Sequence, residues 1–132
     1  MVNALFDKGR QAFLDGQISW SSDNIKVAAV DATYTPNMAT HQFLSDITGV
    51  VATSANLSGK SSTGGVADAA DITFASVTGP TIVRLIVYKD TGTAGTSPLI
   101  AAIDTATGLP VTPDGTNISA TWYNGAERLF KL

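Results

Sequence analysis

His41 is the only histidine in the chain. Any Ser–His–Asp triad would have to be built on it, and no Gly-x-Ser-x-Gly elbow supplies the serine. A histidine-based zinc centre needs further ligands of the same kind, and the chain has no cysteine to provide them. Set among Thr40, Gln42, Phe43 and Leu44, His41 reads as a surface or packing residue of a short helical turn. Paired carboxylates are the next chemistry to consider, because ten aspartates stand against the single Glu127. Asp68 and Asp71 lie close together, but in a turn-like segment. Asp90, Asp104 and Asp114 each border a strand or a glycine turn, which is the distribution of capping and Asx-turn residues. No Asp-x-Asp-x-Asp-Gly calcium loop is present. Gly64, Gly65, Gly92 and Gly95 form no phosphate-binding pattern, since nothing glycine-rich links a strand to a helix. Trp20, Trp122 and Tyr123 admit two readings: an aromatic platform for carbohydrate, or core side chains, of which the second is favoured. The expectation is a non-enzymatic protein with no cofactor and no metal.

Composition points the same way. At 132 residues and 13.6 kDa the chain suits one domain, long enough to bury a core without disulfide or metal support. Its charged fraction is 14%, low against about 25% in an ordinary soluble domain. Asp favours turns and caps whereas Glu favours helix interiors, so the bias towards Asp predicts many turns and few helices. With a net charge of −3 and no run of Lys or Arg, the chain lacks the footprint of a nucleic-acid or anionic-membrane binder. The charged opening residues Asp7, Lys8 and Arg10 do not form a signal-peptide core. No apolar stretch approaches the ~20 residues of a membrane span. The expectation is a protein made in the cytoplasm and soluble or assembled there.

The elements that must carry any function are mostly strands. Thr81 to Asp90 is the longest β-branched and apolar run, fenced by Gly79-Pro80 and Asp90-Thr91-Gly92, and reads as a central buried strand. Arg84 is its only internal charge: an edge residue facing solvent, or a buried partner for Asp71 or Asp104, with a salt-bridged or interface role favoured. Ile72–Val77 is expected to pair with this strand as a hairpin through Gly79-Pro80. Further strands are expected at 25–30, 49–53, 55–60, 98–104 and 117–123. Asn124-Gly125 signals a type I′ hairpin leading into a closing strand at Leu129–Leu132. Asn3 to Asp15 is the one convincing helix, with Asn3 as N-cap and Gly16 as the C′ glycine, and a second short helical turn is capped by Thr40. The predicted fold is mainly β, an antiparallel β-sandwich or jelly-roll-like domain with a short N-terminal α-helix. It is one domain over 1–132, with the helix in 1–16 and the sandwich in 17–132.

Several segments carry a family resemblance: Asn3–Gly16, Asp23–Ala28, Tyr88–Gly92, Leu99–Pro110, Asn124-Gly125 and Leu129–Leu132. Together they span nearly the whole chain, and they resemble small virion structural proteins of tailed bacteriophages, such as capsid decoration (cement) proteins. The resemblance implies a capsid or tail role. A compact, acidic, cysteine-free β-domain with an amphipathic terminal helix suits a cement protein on the capsid exterior, assembled in the host bacterial cytoplasm. The implied partners are the major capsid protein and further copies of the chain, as dimer or trimer, with no nucleic acid and no membrane. Leu5, Phe6, Phe13 and Leu14 of the helix and Leu129, Phe130 and Leu132 of the terminus are the expected contact residues. Removing residues 1–15 is expected to leave a folded β-domain that no longer binds capsids. Two other roles stay open. One is a receptor-binding adhesin of the tail or fibre, with Trp20, Tyr34 and loop 91–97 as a glycan site. The other is a tail-tube or connector subunit, which would form rings or tubes alone.

Overall fold

The computed structural model describes residues 4–104, 106, 109–122 and 129–131. Ten regular elements follow one another. They are β1 (Ala4–Leu5), α1 (Asp7–Leu14), β2 (Ile25–Asp31), β3 (Val50–Thr53), β4 (Val66–Ala67), β5 (Ile72–Phe74), β6 (Ile82–Lys89), β7 (Leu99–Ile103), β8 (Ile118–Ala120) and β9 (Phe130–Lys131). The chain is a mainly β domain of antiparallel sheets with one short α-helix.

β6 lies at the centre, as its sequence demands. Leu85, Ile86 and Val87 are buried in succession, so both faces of the strand are covered, and each such side chain contributes about 1.5–3 kcal/mol through burial. β2 pairs along it from Ile25 opposite Lys89 to Asp31 opposite Ile82, and β7 flanks its other side. The full sheet runs β1-β7-β6-β2-β3. Two ribbons, β4–β9 and β5–β8, form a second layer. Phe74, Ile72, Ala67, Phe130 and Trp122 of that layer share one core with Ile25, Val27, Leu85, Val87 and Ile103 of the sheet. The opposite face of the sheet is covered by the segment after β2, where Tyr34 and Ile47 pack with Phe6, Val30, Ile86 and Tyr88.

Three expectations about pairing and boundaries are corrected. β5 and β6 are not a hairpin: β5 pairs with β8, placing Ile72 opposite Ala120, while β2 and β7 occupy both edges of β6. The Gly79-Pro80 turn therefore carries the chain from one layer to the other. β9 pairs with β4, with Phe130 opposite Ala67, and not with β8; the Asn124-Gly125 turn lies outside the described residues. The helix starts at Asp7 because Ala4 and Leu5 are taken up as a strand against Ala102 and Ala101. Extended backbone at Phe6 then sends Leu5 and Phe6 into the two different cores. Asn3, the expected cap, lies outside the described residues. At the other end Gly16 takes the left-handed conformation expected of a C′ glycine, φ 75°. Two smaller differences complete the picture. The turn near His41 is a 3₁₀ turn at Leu44–Asp46, closed by the Asp46 carboxylate and not by Thr40. Residues 55–60 run beside β2 without forming a strand, bonding it once from the Leu57 amide to the Ile25 carbonyl.

Candidate functional site

α1 is laid tightly on β7. A methyl group at Gly9 would sit 2.6 Å from the Leu99 carbonyl oxygen and 3.0 Å from that of Ile100, so only glycine permits this approach. The helix thereby carries Phe13 to Phe130 of β9, with ring centres 6.2 Å apart. Trp20 meets the same Phe130 edge to face at 5.3 Å, and its indole N–H donates to the Ser61 carbonyl at 3.0 Å. The N-terminal helix and the closing strand, far apart in sequence, thus meet at one aromatic junction.

That junction sorts the seven expected contact residues. Phe6, Leu129 and Phe130 are fully or almost fully buried inside the chain, as is Leu5. Phe13 is half-buried against the core. Leu14 is 88% exposed, and Leu132 lies outside the described residues. Among the described residues of the seven, only Leu14 is fully open to solvent. The others were expected at the surface because an amphipathic stripe reads alike whether it covers its own sheet or a neighbour's. The truncation expectation changes with them. Residues 1–15 include β1, Phe6 and Ala12, so deleting them opens the core instead of sparing it.

The aromatic residues of the glycan reading are buried too. Trp20, Trp122 and Tyr34 are each less than a tenth exposed. The Trp122 indole donates to the Ala70 carbonyl at 3.0 Å, and its amide to Asp71 Oδ1 at 3.2 Å. Tyr123 lies outside the described residues. Loop 91–97 is laced by its own hydroxyls: buried Ser97 Oγ donates to the Thr93 carbonyl at 2.8 Å and accepts from the Thr91 amide at 3.1 Å.

The aspartates mostly close turns. The amides of Phe43 and then Gln42 donate to Asp46, holding its carboxyl below the usual carboxylate range. The Gly92 amide and then Lys26 do the same for Asp90, and the Lys26–Asp90 ion pair measures 3.0 Å. Burial works against ionisation of Asp23, yet the Ser19 amide and Lys89 still hold its carboxyl low. Lys60 Nζ adds a hydrogen bond to the Asp23 carbonyl at 2.6 Å. Sequence reasoning missed this strip, because ion pairs between distant segments leave no local pattern.

His41 Nδ1 lies 2.7 Å from the Tyr34 hydroxyl and accepts from the Asn37 amide at 3.2 Å, with its ring stacked on Tyr34. Burial and the nearby Asp46 push the Tyr34 hydroxyl up to about 12 against the opposing Arg84. Arg84 itself donates to the Tyr34 carbonyl at 3.0 Å. It forms no ion pair with Asp71 or Asp104 among the described residues. Asp104 Oδ1 is buried without a hydrogen-bond partner, across a cavity of about 200 Å³ that both residues line. A second cleft of about 240 Å³ opens between the layers, floored by Phe74, Ile82 and Leu85 and rimmed by Thr112, Asp114 and Asn117. Among the described residues no three His, Asp or Glu side chains cluster as metal ligands, and no helix is long and apolar enough to cross a membrane. No protein-family model matches the chain, and no curated protein matches it.

Proposed function

We propose that the chain is a non-enzymatic structural protein of a tailed-bacteriophage virion, a capsid decoration (cement) protein on the outer surface of the major capsid protein lattice. The reading is carried by the chain-long resemblance set out above. The geometry supports it in one respect: α1 and β9 are held together on the β-scaffold at the Phe13–Trp20–Phe130 junction. This leaves the outer side of α1 as a rigid docking surface. Asp7 and Arg10 are exposed along it and paired at 3.2 Å, and Leu14 stands at its end. Cement action needs no chemistry. It needs a rigid body whose small apolar and polar contacts are repeated across many lattice sites, so that modest individual affinities add up through multivalency.

The test is to localise and count the protein in virions by electron microscopy and quantitative gel analysis. Heads with and without it are then heated. The expected result is hundreds of copies on the shell and a lower rupture temperature when it is missing. A few copies at the tail would overturn the reading, as would rings or tubes formed by the purified protein.

A further inference from the structure

We infer that the cavity shared by Arg84 and Asp104 binds a small ligand carrying both charges, a free α-amino acid with an apolar side chain. Its carboxylate meets Arg84 and its ammonium group meets Asp104. The site lies on the face of the sheet away from the two ribbons, and the inference is independent of the shell-binding reading.

Strand register brings the two charges together. β6 and β7 pair with Ile86 opposite Ala102 and Leu85 opposite Ile103. One step further along the same ladder, Arg84 stands opposite Asp104. Side chains alternate between the faces of a strand, so both belong to the face of Ile86 and Ala102. Cross-strand neighbours of opposite charge ordinarily attract, yet no ion pair joins these two. Arg84 is turned instead to the Tyr34 carbonyl, to which Nη1 donates at 3.0 Å. That is the one hydrogen bond its side chain makes among the described residues. Asp104 Oδ1 is buried and accepts from nothing. The cavity they share, about 200 Å³, is otherwise walled by Ala4, Pro36, Met38 and Ala102.

A buried polar atom without a partner is costly, so the free energy favours an occupant that donates to Oδ1. The opposite charges select which one. A lone cation would suit Asp104 and be repelled by Arg84, and a lone anion the reverse. An α-amino acid satisfies both, because it holds its ammonium and carboxylate on one carbon, a spacing that suits neighbours on paired strands. The four remaining wall residues are apolar and suit an apolar side chain. At about 200 Å³ the space exceeds the ~150 Å³ that admits a benzene ring, enough for a side chain such as that of leucine. The wall is also built in advance. The Met38 carbonyl accepts from the Asp7 amide at 2.8 Å, and Arg84 holds the Tyr34 carbonyl. A ligand therefore has no loop to order on entry.

The full-length chain is titrated with leucine, leucinamide and N-acetylleucine, followed by calorimetry and by amide NMR shifts. Asp104→Asn, Arg84→Gln and Asp114→Asn are titrated alongside, and thermal unfolding of each is measured without ligand. Leucine is expected to bind saturably, with shifts centred on Ala4, Met38, Arg84, Ala102 and Asp104. Leucinamide and N-acetylleucine, which each lack one charge, should bind at least tenfold more weakly. Asp104→Asn and Arg84→Gln should weaken leucine binding by a similar factor, and Asp114→Asn, on the other cleft, should leave it unchanged. Asp104→Asn should melt no lower than the wild type, because Oδ1 has no partner to lose. The two single-charge ligands test the site on the wild-type protein, even if Arg84→Gln does not fold. Absence of saturable binding up to the solubility of leucine would overturn the inference. So would equal binding of either single-charge ligand, or shifts centred on Phe74 and Ile82. A clear loss of stability in Asp104→Asn would do the same, by showing that the carboxylate is already paired with the chain.

Discussion

The two edges of the five-stranded sheet solve the same problem in opposite ways. Beyond β7 the chain closes its own edge: β1 supplies two residues of ladder, and α1 follows at once. Phe6 fills the core behind them and Gly9 lets the helix touch the strand backbone. Beyond β3 no described strand closes the edge, and residues 47–59 carry neither charge nor proline. A closed edge commits side chains to stability, whereas an open edge leaves backbone groups outside the ladder. Substitutions at the first should therefore cost more stability than those at the second.

The largest effect is expected at the closed edge. Phe6 is completely buried, and Phe6→Ala should cost about 3–5 kcal/mol through lost transfer energy and the cavity left behind. Chemical denaturation measures it, and a loss below about 1 kcal/mol would show that the N-terminal segment is an appendage and not part of the fold. Gly9→Ala comes next. Its methyl meets backbone carbonyls, which yield less readily than flexible side chains, so the helix must lift from β7 at a cost of about 1–3 kcal/mol. An unchanged denaturation midpoint would mean that helix and sheet are not in such close contact.

These two residues also show what the sequence revealed and what it withheld. The apolar run of β6 was legible as a central strand because burial on both faces leaves a continuous hydrophobic signature. Gly16 was legible as a helix stop because its conformation is a local property. The β5–β6 hairpin was misread because a turn signal fixes where the chain reverses, not which layer it enters. Likewise Leu5 and Phe6 were assigned to a helix although strand pairing with β7, a contact about a hundred residues away, decides their conformation. The junction of Phe13 with Phe130 and the openness of β3 are both consequences of topology. No stretch of sequence encodes them alone.

At the open edge, Ser54 makes the sharpest stability test. Its buried Oγ accepts from the Val27 amide at 2.9 Å and donates to the Ala55 carbonyl at 2.8 Å, standing in for the ladder bond that Val27 would otherwise make. Ser54→Ala leaves that buried N–H unpaired, at about 1–3 kcal/mol. The loss should be smaller than for Phe6→Ala. Equal losses would mean that the two edges carry stability alike.

Acid should loosen the turns that Asp46 and Asp90 close, with a gentler effect. Asp46 and Asp90 have carboxyls held below their unfolded values by amide donors. Their contribution is complete above about pH 4, the unfolded carboxylate range. It is lost as pH falls through the lower folded values, because the unfolded state then binds more protons. The melting temperature should decline below about pH 4, and Asp90→Asn should make that decline shallower. A decline of unchanged slope in the variant would remove Asp90 from the account.

The smallest effect on stability, and the most informative for function, belongs to Leu14. At 88% exposed it contributes almost nothing to the core, so Leu14→Ser should shift stability by less than about 0.5 kcal/mol. Serine slightly disfavours the last helical turn, but Gly16 still ends it. If α1 is the face that docks on the shell, the same substitution should sharply reduce binding to undecorated heads while leaving the melting temperature of the free protein almost unchanged. Co-sedimentation with heads and thermal unfolding of the free protein measure the two separately. Undiminished head binding would take α1 out of the docking surface.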